Sequence, residues 1–227
     1  MLLNHSTLHC HIMQSFVDTG TAPTIDEMAS AFAVSPSELT AALEDLQDYH
    51  GVVLHPKNKE VWVMHPFSAA PTNFFIKADH CCWWGNCAWC SMGAAALLKC
   101  DLTITTTAGA EAKQLIVRVK DGQLEQNSLL VHFPIPMQQA WDNVTYTCSN
   151  MLLFESEQDI LNWCQRHRMP VGDIQPLHKI WQFSQVWYGN HMRQDWHKWT
   201  IDEARALFQQ FGLQGPIWDL PVQQGRF

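Results

Sequence analysis

Four of the chain's eight cysteines fall within ten residues, in the stretch His80-Cys81-Cys82-Trp83-Trp84-Gly85-Asn86-Cys87-Ala88-Trp89-Cys90. A thiolate is the form of cysteine that attacks electrophiles and ligates soft metals, and Cys87-x-x-Cys90 brings two sulfurs onto one turn of chain, helical or reverse. Three readings follow. A closed structural zinc site needs a second Cys-x-x-Cys or a His pair at matched spacing, and the sequence offers neither. A thioredoxin-like redox pair belongs after a strand in a βαβ unit, which the surroundings do not build. An open soft-metal or nucleophilic site, completed by a distant cysteine, fits the residues best.

The other candidate groups are less specific. Cys81 and Cys82 lie close enough in sequence to be accessory ligands, and Trp83, Trp84 and Trp89 are expected to wall the pocket. Cys100 and Cys164 sit on apolar faces and read as core. His9-Cys10-His11 groups potential ligands, but adjacent side chains do not turn to one ion easily. His80, His132 and His178 are candidates for proton transfer, against the common alternative of a structural histidine.

The elements that must position these groups are legible in part. Thr24-Ile25-Asp26-Glu27 and Ser35-Pro36-Ser37-Glu38 are two capping boxes, the second with proline at the first helical position. The helix after Ser35 carries Leu39, Leu43 and Leu46 at helical spacing, and Val52-Val53-Leu54 and Val61-Trp62-Val63-Met64 flank a turn as a hairpin. Helix, turn, helix and hairpin predict a winged-helix-like N-terminal domain over 1–66. Its stretch from Thr24 to Glu60 holds seven acidic residues and two lysines, so the helix that would read DNA has nothing to meet phosphate. With a formal net charge of −8 for the whole chain, no nucleic-acid partner is expected.

His65 to Pro71 reads as a proline-flanked connector, and 67–227 as a mixed core. There Asn73 to Lys77 is a strand, and Ser91 to Lys99 is a strong helix former that leaves Cys87 and Cys90 at its entrance, where the helix dipole favours thiolate. Asp101 to Thr107, Leu115 to Lys120 and Leu129 to Phe133 alternate as strands, and Tyr146 to Phe154 reads as a further buried strand carrying Cys148. Ser156 and Thr200 cap two later helices. The expected fold class is α+β, an antiparallel sheet with flanking helices. At 227 residues the chain can bury a full core without disulfides. The start Met1 to Ser6 does not read as a secretory signal, and no apolar run approaches a membrane span, so a cytoplasmic protein with reduced thiols is expected.

The segment Cys87-Ala88-Trp89-Cys90-Ser91-Met92, between a strand and an alanine-rich helix, resembles the Cys-Ala-x-Asp segment of the organomercurial (alkylmercury) lyases. Thr145-Tyr146-Thr147-Cys148-Ser149-Asn150 is similar to the segment carrying that family's second catalytic cysteine, and the family shares the layout of a winged-helix-like domain before the core. The resemblance runs from about residue 24 to 190, with Trp187-Tyr188-Gly189-Asn190 its less diagnostic end. It implies catalytic and metal-binding roles for Cys87, Cys90 and Cys148. Two thiolates would bind an R–Hg⁺ species and a neighbouring acid would protonate the departing carbon, giving hydrocarbon and Hg(II). The implied partners are a small organometallic substrate and cellular thiols, with no organic cofactor. One position departs from the pattern: Cys90 stands where the family carries aspartate. Three sulfurs would grip Hg(II) or Cu(I) tightly, so a soft-metal-binding protein without lyase activity is the alternative.

Overall fold

The computed structural model describes residues 3–220 and 227. Met1 and Leu2, the first residues of the segment considered as a signal, lie outside that range. Helix α1 (His5–Thr19) is capped by the Asn4 side chain and closed by Gly20 in the left-handed region. Helices α2 (Ile25–Phe32) and α3 (Pro36–Asp48) each begin in a complete capping box, on Thr24 and Ser35. Each cap satisfies amide groups that a helix start otherwise leaves open, at about 1 kcal/mol apiece. Leu39, Leu43 and Leu46 form the buried stripe of α3.

Strands β1 (Val53–Leu54), β2 (Val61–Met64), β3 (Phe67–Ser68), β4 (Phe74–Lys77) and β5 (Cys82–Gly85) follow, then helix α4 (Ala88–Leu98) and strands β6 (Leu102–Thr107), β7 (Gln114–Lys120) and β8 (Gln123–Leu124). These eight strands form one sheet in the order β1-β2-β3-β5-β4-β6-β7-β8, antiparallel throughout. β7 alternates exposed and buried residues strictly, the signature of a sheet with one face on the core. The connector expected at His65 to Pro71 contributes β3, which bridges β2 to β5 and makes the sheet continuous across this region.

A second sheet, ordered β10-β9-β11, is built from β9 (Leu130–Phe133), β10 (Leu152–Phe154) and β11 (Asp173–Pro176). Helix α5 (Val144–Ser149) precedes β10, α6 (Glu157–His167) follows it, and α7 (Leu177–Trp187) and α8 (Ile201–Gln210) complete the order. The fold is α+β. Among the described residues no helix is long and apolar enough to cross a membrane.

Two expectations change. Residues 5–19, to which the sequence reading assigned no element, are a helix pinned to the sheet by Trp83, whose indole Nε1–H donates to Phe16 O at 2.6 Å. Cys148 lies not on a strand but on α5, and only Leu152–Phe154 of the expected strand is extended. Val144, Thr145, Tyr146 and Thr147 have strand-like propensity, but such propensity yields to context. Here the Asn143 side chain accepts from Tyr146 N, and the turn of helix buries Thr147 and Cys148.

Candidate active site

Three loops are stitched together around the start of α4. Cys87 is its N-cap: the sulfur accepts from Cys90 N–H at 3.2 Å, and Ser91 Oγ donates to Cys87 O at 2.7 Å. Ala88 N donates to Met151 O at 3.0 Å, and Met151 N to Cys148 O at 3.1 Å, which draws the end of α5 against Cys87. On the other side, Asn86 N donates to Pro66 O at 3.0 Å, placing His65 over the same cavity. From below, α7 runs along α4, with Trp89 and Trp187 in ring contact at 5.1 Å.

His65 Nε2 and the sulfurs of Cys90 and Cys148 all lie within 4.8 Å of one another, and Cys148 Sγ is 3.6 Å from His65 Nε2. Asn86 Nδ2 stands 3.1 Å from the same ring nitrogen. An amide N–H can only donate, so Nε2 is the acceptor and the ring proton belongs on Nδ1. Tyr188, just beyond α7, donates its hydroxyl to Cys90 Sγ at 3.5 Å. The Cys87, Cys90 and Cys148 side chains are all buried. They line a cavity of about 50 Å³ with His65, Trp141, Tyr188 and Lys198.

Burial in such a place should keep every thiol neutral, yet the three differ. For Cys90, desolvation is outweighed by hydrogen bonds from Cys148 and Cys87, the nearby His65 ring and the Tyr188 hydroxyl, and its thiol is held well below the ordinary range. Burial, with the Cys148 and Cys90 sulfurs, pushes Cys87 well above it. For Cys148 the hydrogen bond with Cys87 favours the thiolate, but the bond with Cys90 and burial prevail and the thiol is raised. Burial lowers His65 to about 4, against the pull of Cys90. It lowers Lys198 to about 7, against the pull of Cys90 and Cys148. The Lys198 ammonium lies 4.3 Å from the Trp141 ring centroid. A thiol eased toward its anion beside two held toward their protonated forms is an arrangement that can seize a soft electrophile and deliver a proton next to it.

A family model described as alkylmercury lyase matches residues 67–189, more than half of the 227-residue chain. The chain belongs to the alkylmercury lyase family. Cys87, Cys90, Cys148 and Tyr188 fall inside the matched segment, whereas His65 and Lys198 fall outside it. Among solved structures the chain is similar to one titled as the crystal structure of the mercury-bound form of MerB2, with a TM-score of 0.64 and 17% identity over 84% of this chain and 90% of that one. At that identity the likeness speaks to the fold. No curated protein matches the chain.

Within this alkylmercury lyase fold, the expected accessory residues divide. Trp89 lines the cavity; Trp83 and Trp84 do not. Trp83 is spent on anchoring α1, and Trp84 packs on Phe75 at 4.9 Å. Trp141 and Trp187 supply the remaining indole walls. Cys81 and Cys82 are also absent from the lining: Cys81 sits against the Gly20 turn and Cys82 is exposed. His80 and His178 are exposed, while His132 is buried with Nε2 on Val171 O at 2.8 Å and Cys164 Sγ at 3.6 Å. His9 belongs to a buried layer behind the site, stacked on Trp196 at 3.5 Å and edge-on to His191 at 5.6 Å.

The sequence reading missed His65, Tyr188 and Lys198 as members of the site. A histidine in a proline-flanked loop carries no ligand spacing, and its partners lie far along the chain. Lys198 left a faint trace: a lone lysine inside the aromatic run Trp196-His197-Lys198-Trp199.

Proposed function

We propose that the protein is an alkylmercury lyase that uses Cys90 as its mercury-seizing thiolate and a protonated neighbour as its acid. The observation that carries this reading is the convergence of Cys87, Cys90 and Cys148 in one buried cluster inside the segment that the family model matches. The substrate is an organomercurial carried as a thiol adduct, R–Hg–SR′. The Cys90 thiolate bonds to mercury and the carrier leaves as R′S⁻. The Cys148 sulfur then bonds to mercury and loses its proton, because a thiol coordinated to a soft cation is acidic. That proton goes to the carbon as the carbon–mercury bond breaks, the carbon keeping the electron pair. Hydrocarbon departs, and Hg(II) remains between two thiolates until external thiols take it away.

Cys87 stays protonated beside this pair and, through its capping bond, holds the amide of Cys90 in place. Tyr188 steadies the Cys90 thiolate before mercury arrives. The indoles of Trp89, Trp141 and Trp187 exclude water from the carbon being protonated.

A second reading is favoured by the compact His65, Cys90 and Cys148 set, whose donor atoms suit a soft ion held for its own sake. In that case the protein binds Hg(II) or Cu(I) without cleaving a carbon–metal bond. Incubation of the reduced protein with methylmercury and excess thiol, with head-space measurement of methane, separates the two. Catalytic methane release is expected, and stoichiometric mercury uptake without methane would overturn the lyase reading.

A further inference from the structure

One ammonium is built into a cavity otherwise lined by sulfur, hydrocarbon and rings. Lys198 is only 9% exposed and borders the cavity together with Cys87, Cys90 and Cys148. Burying an ammonium is costly unless an anion or an aromatic face compensates, and its Nζ lies 4.3 Å from the Trp141 ring centroid. Carbon–mercury cleavage as proposed above makes no use of this charge.

Its position relative to the cavity mouth suggests a use. Among the described lining residues only His65, Trp141 and Val144 are less than fully buried, and the His65 and Trp141 rings stand 5.6 Å apart. The mouth therefore lies along these three residues. Trp141 is held there by His50, whose ring stacks on it at 4.2 Å. Lys198 thus sets its charge against the indole of the mouth, beside the route by which an external thiol reaches the metal.

That encounter generates charge. Mercury(II) between the Cys90 and Cys148 thiolates is a neutral unit. An entering thiolate R′S⁻ bonds to mercury before a cysteine leaves, so the three-sulfur species carries one negative charge. The bond from mercury to Cys148 then breaks, the sulfur keeping the electron pair, and a second thiolate displaces Cys90 in the same way. Two R′SH enter and Hg(SR′)₂ leaves, with mercury still at +2. Of their two protons one stays on Cys148 and the other, in place of the Cys90 thiolate, goes to solvent. Away from water such an anion is costly, and a fixed cation beside it is the strongest means of stabilising it. Burial works against the Lys198 ammonium, while anionic Cys90 and Cys148 work for it, so surplus negative charge in the cavity secures the cation.

We propose that Lys198 promotes thiol exchange at mercury, its ammonium stabilising the anionic three-sulfur species through which Hg(II) passes from Cys90 and Cys148 to an external thiol. The inference rests on the lyase reading for its two ligands and adds a residue for the step that ends the cycle.

The test uses Hg(II) and 2-mercaptoethanol, a carrier whose only charge is its thiolate, with the full-length protein. Stopped-flow absorbance reads release from Hg(II)-loaded protein to the thiol, and loading of the reduced protein from the mercury bis-thiolate. Both directions pass through the same anion, so in Lys198→Met both rate constants are expected to fall by about tenfold or more, the scale on which loss of one preorganised charge-stabilising group is felt. Lys198→Gln, which also lacks the charge, gives the same reading if the methionine variant does not fold. A smaller fall in either direction, or a rise in one, would mark an effect on the resting states alone and overturn the proposal. Wild-type protein that takes up no Hg(II) would overturn it as well. Absence of methane from methylmercury sinks only the lyase reading, because the exchange rates of Hg(II) still decide the part played by Lys198.

Discussion

Tyr188 donates its hydroxyl to the sulfur of Cys90 at 3.5 Å across 98 positions of sequence. The contact is possible because Gly93, one turn further along α4 than Cys90, has no side chain: a Cβ there would stand 2.3 Å from the Tyr188 ring. A missing side chain on one helix therefore places a hydroxyl on the only thiol of the cluster that the site drives toward its anion.

Tyr188→Phe removes that donor and should raise the Cys90 pKa by about one to two units, since a hydrogen bond to a charged group contributes about 1.5–3 kcal/mol. The pH dependence of alkylation at Cys90, followed by mass spectrometry, measures it. Gly93→Ala should act in the same direction by pushing the ring aside, although Gly93 meets no substrate. An unchanged alkylation profile in both variants would remove Tyr188 from the site.

Cys87→Ser keeps an oxygen able to cap α4, whereas Cys87→Ala does not. The alanine variant should lose about 1 kcal/mol more stability than the serine variant, read by urea denaturation. Both should retain tight Hg(II) binding through Cys90 and Cys148. Cys148→Ser should weaken Hg(II) binding by more than about 100-fold, because a soft ligand is replaced by a hard one. Equal affinity after that change would exclude Cys148 as a ligand.

Cys90→Asp exchanges one of the two sulfurs that hold mercury, the one that seizes it, for a carboxylate. Product Hg(II) should leave faster, and steady-state hydrocarbon release should rise if departure of mercury limits turnover. Pre-steady-state measurement separates the effects: the first turnover should slow while later ones accelerate. Lower rates in both phases would show that the Cys90 sulfur is indispensable.

Buried bases set the response of stability to pH. His65 is lowered by burial to about 4, and burial also holds His9 and His191 well below the usual histidine range. Below about pH 6.5 the unfolded chain takes up protons at these histidines that the folded chain refuses, His65 until about pH 4, so stability falls as pH drops through that window. Lys198, at about 7 when folded, works at the other end. Between about pH 7 and 10.4 the unfolded chain binds the extra proton, and stability contributed by this group rises with pH. Urea midpoints across the range should show both slopes. Lys198→Met should flatten the alkaline one, and a retained slope would assign it elsewhere.

Much of the architecture was legible because its causes are local. Thr24, Ser35, Ser156 and Thr200 each accept from the amide three residues on, and that relation is written in residue order. Cys87 and Cys90 share one turn for the same reason. Tyr146 to Phe154 was read as strand because β-branched and aromatic residues carry no helical period there. The choice fell to Asn143 as a cap and to burial of Thr147 and Cys148, which the sequence does not display.

The sequence by itself determined the capped helices, the antiparallel strands and a thiol pair at a helix start, since hydrogen bonds within a few residues and alternation of apolar side chains are properties of short segments. Only the tertiary structure decided that His65 faces Cys148, that Tyr188 meets Cys90, that Lys198 is buried beside Trp141, and that Trp83 anchors a helix instead of walling the cavity. These are contacts between segments far apart in the chain. They are fixed by sheet register and by how closely α7 can approach α4, and the ionisation of the sulfurs follows from that packing.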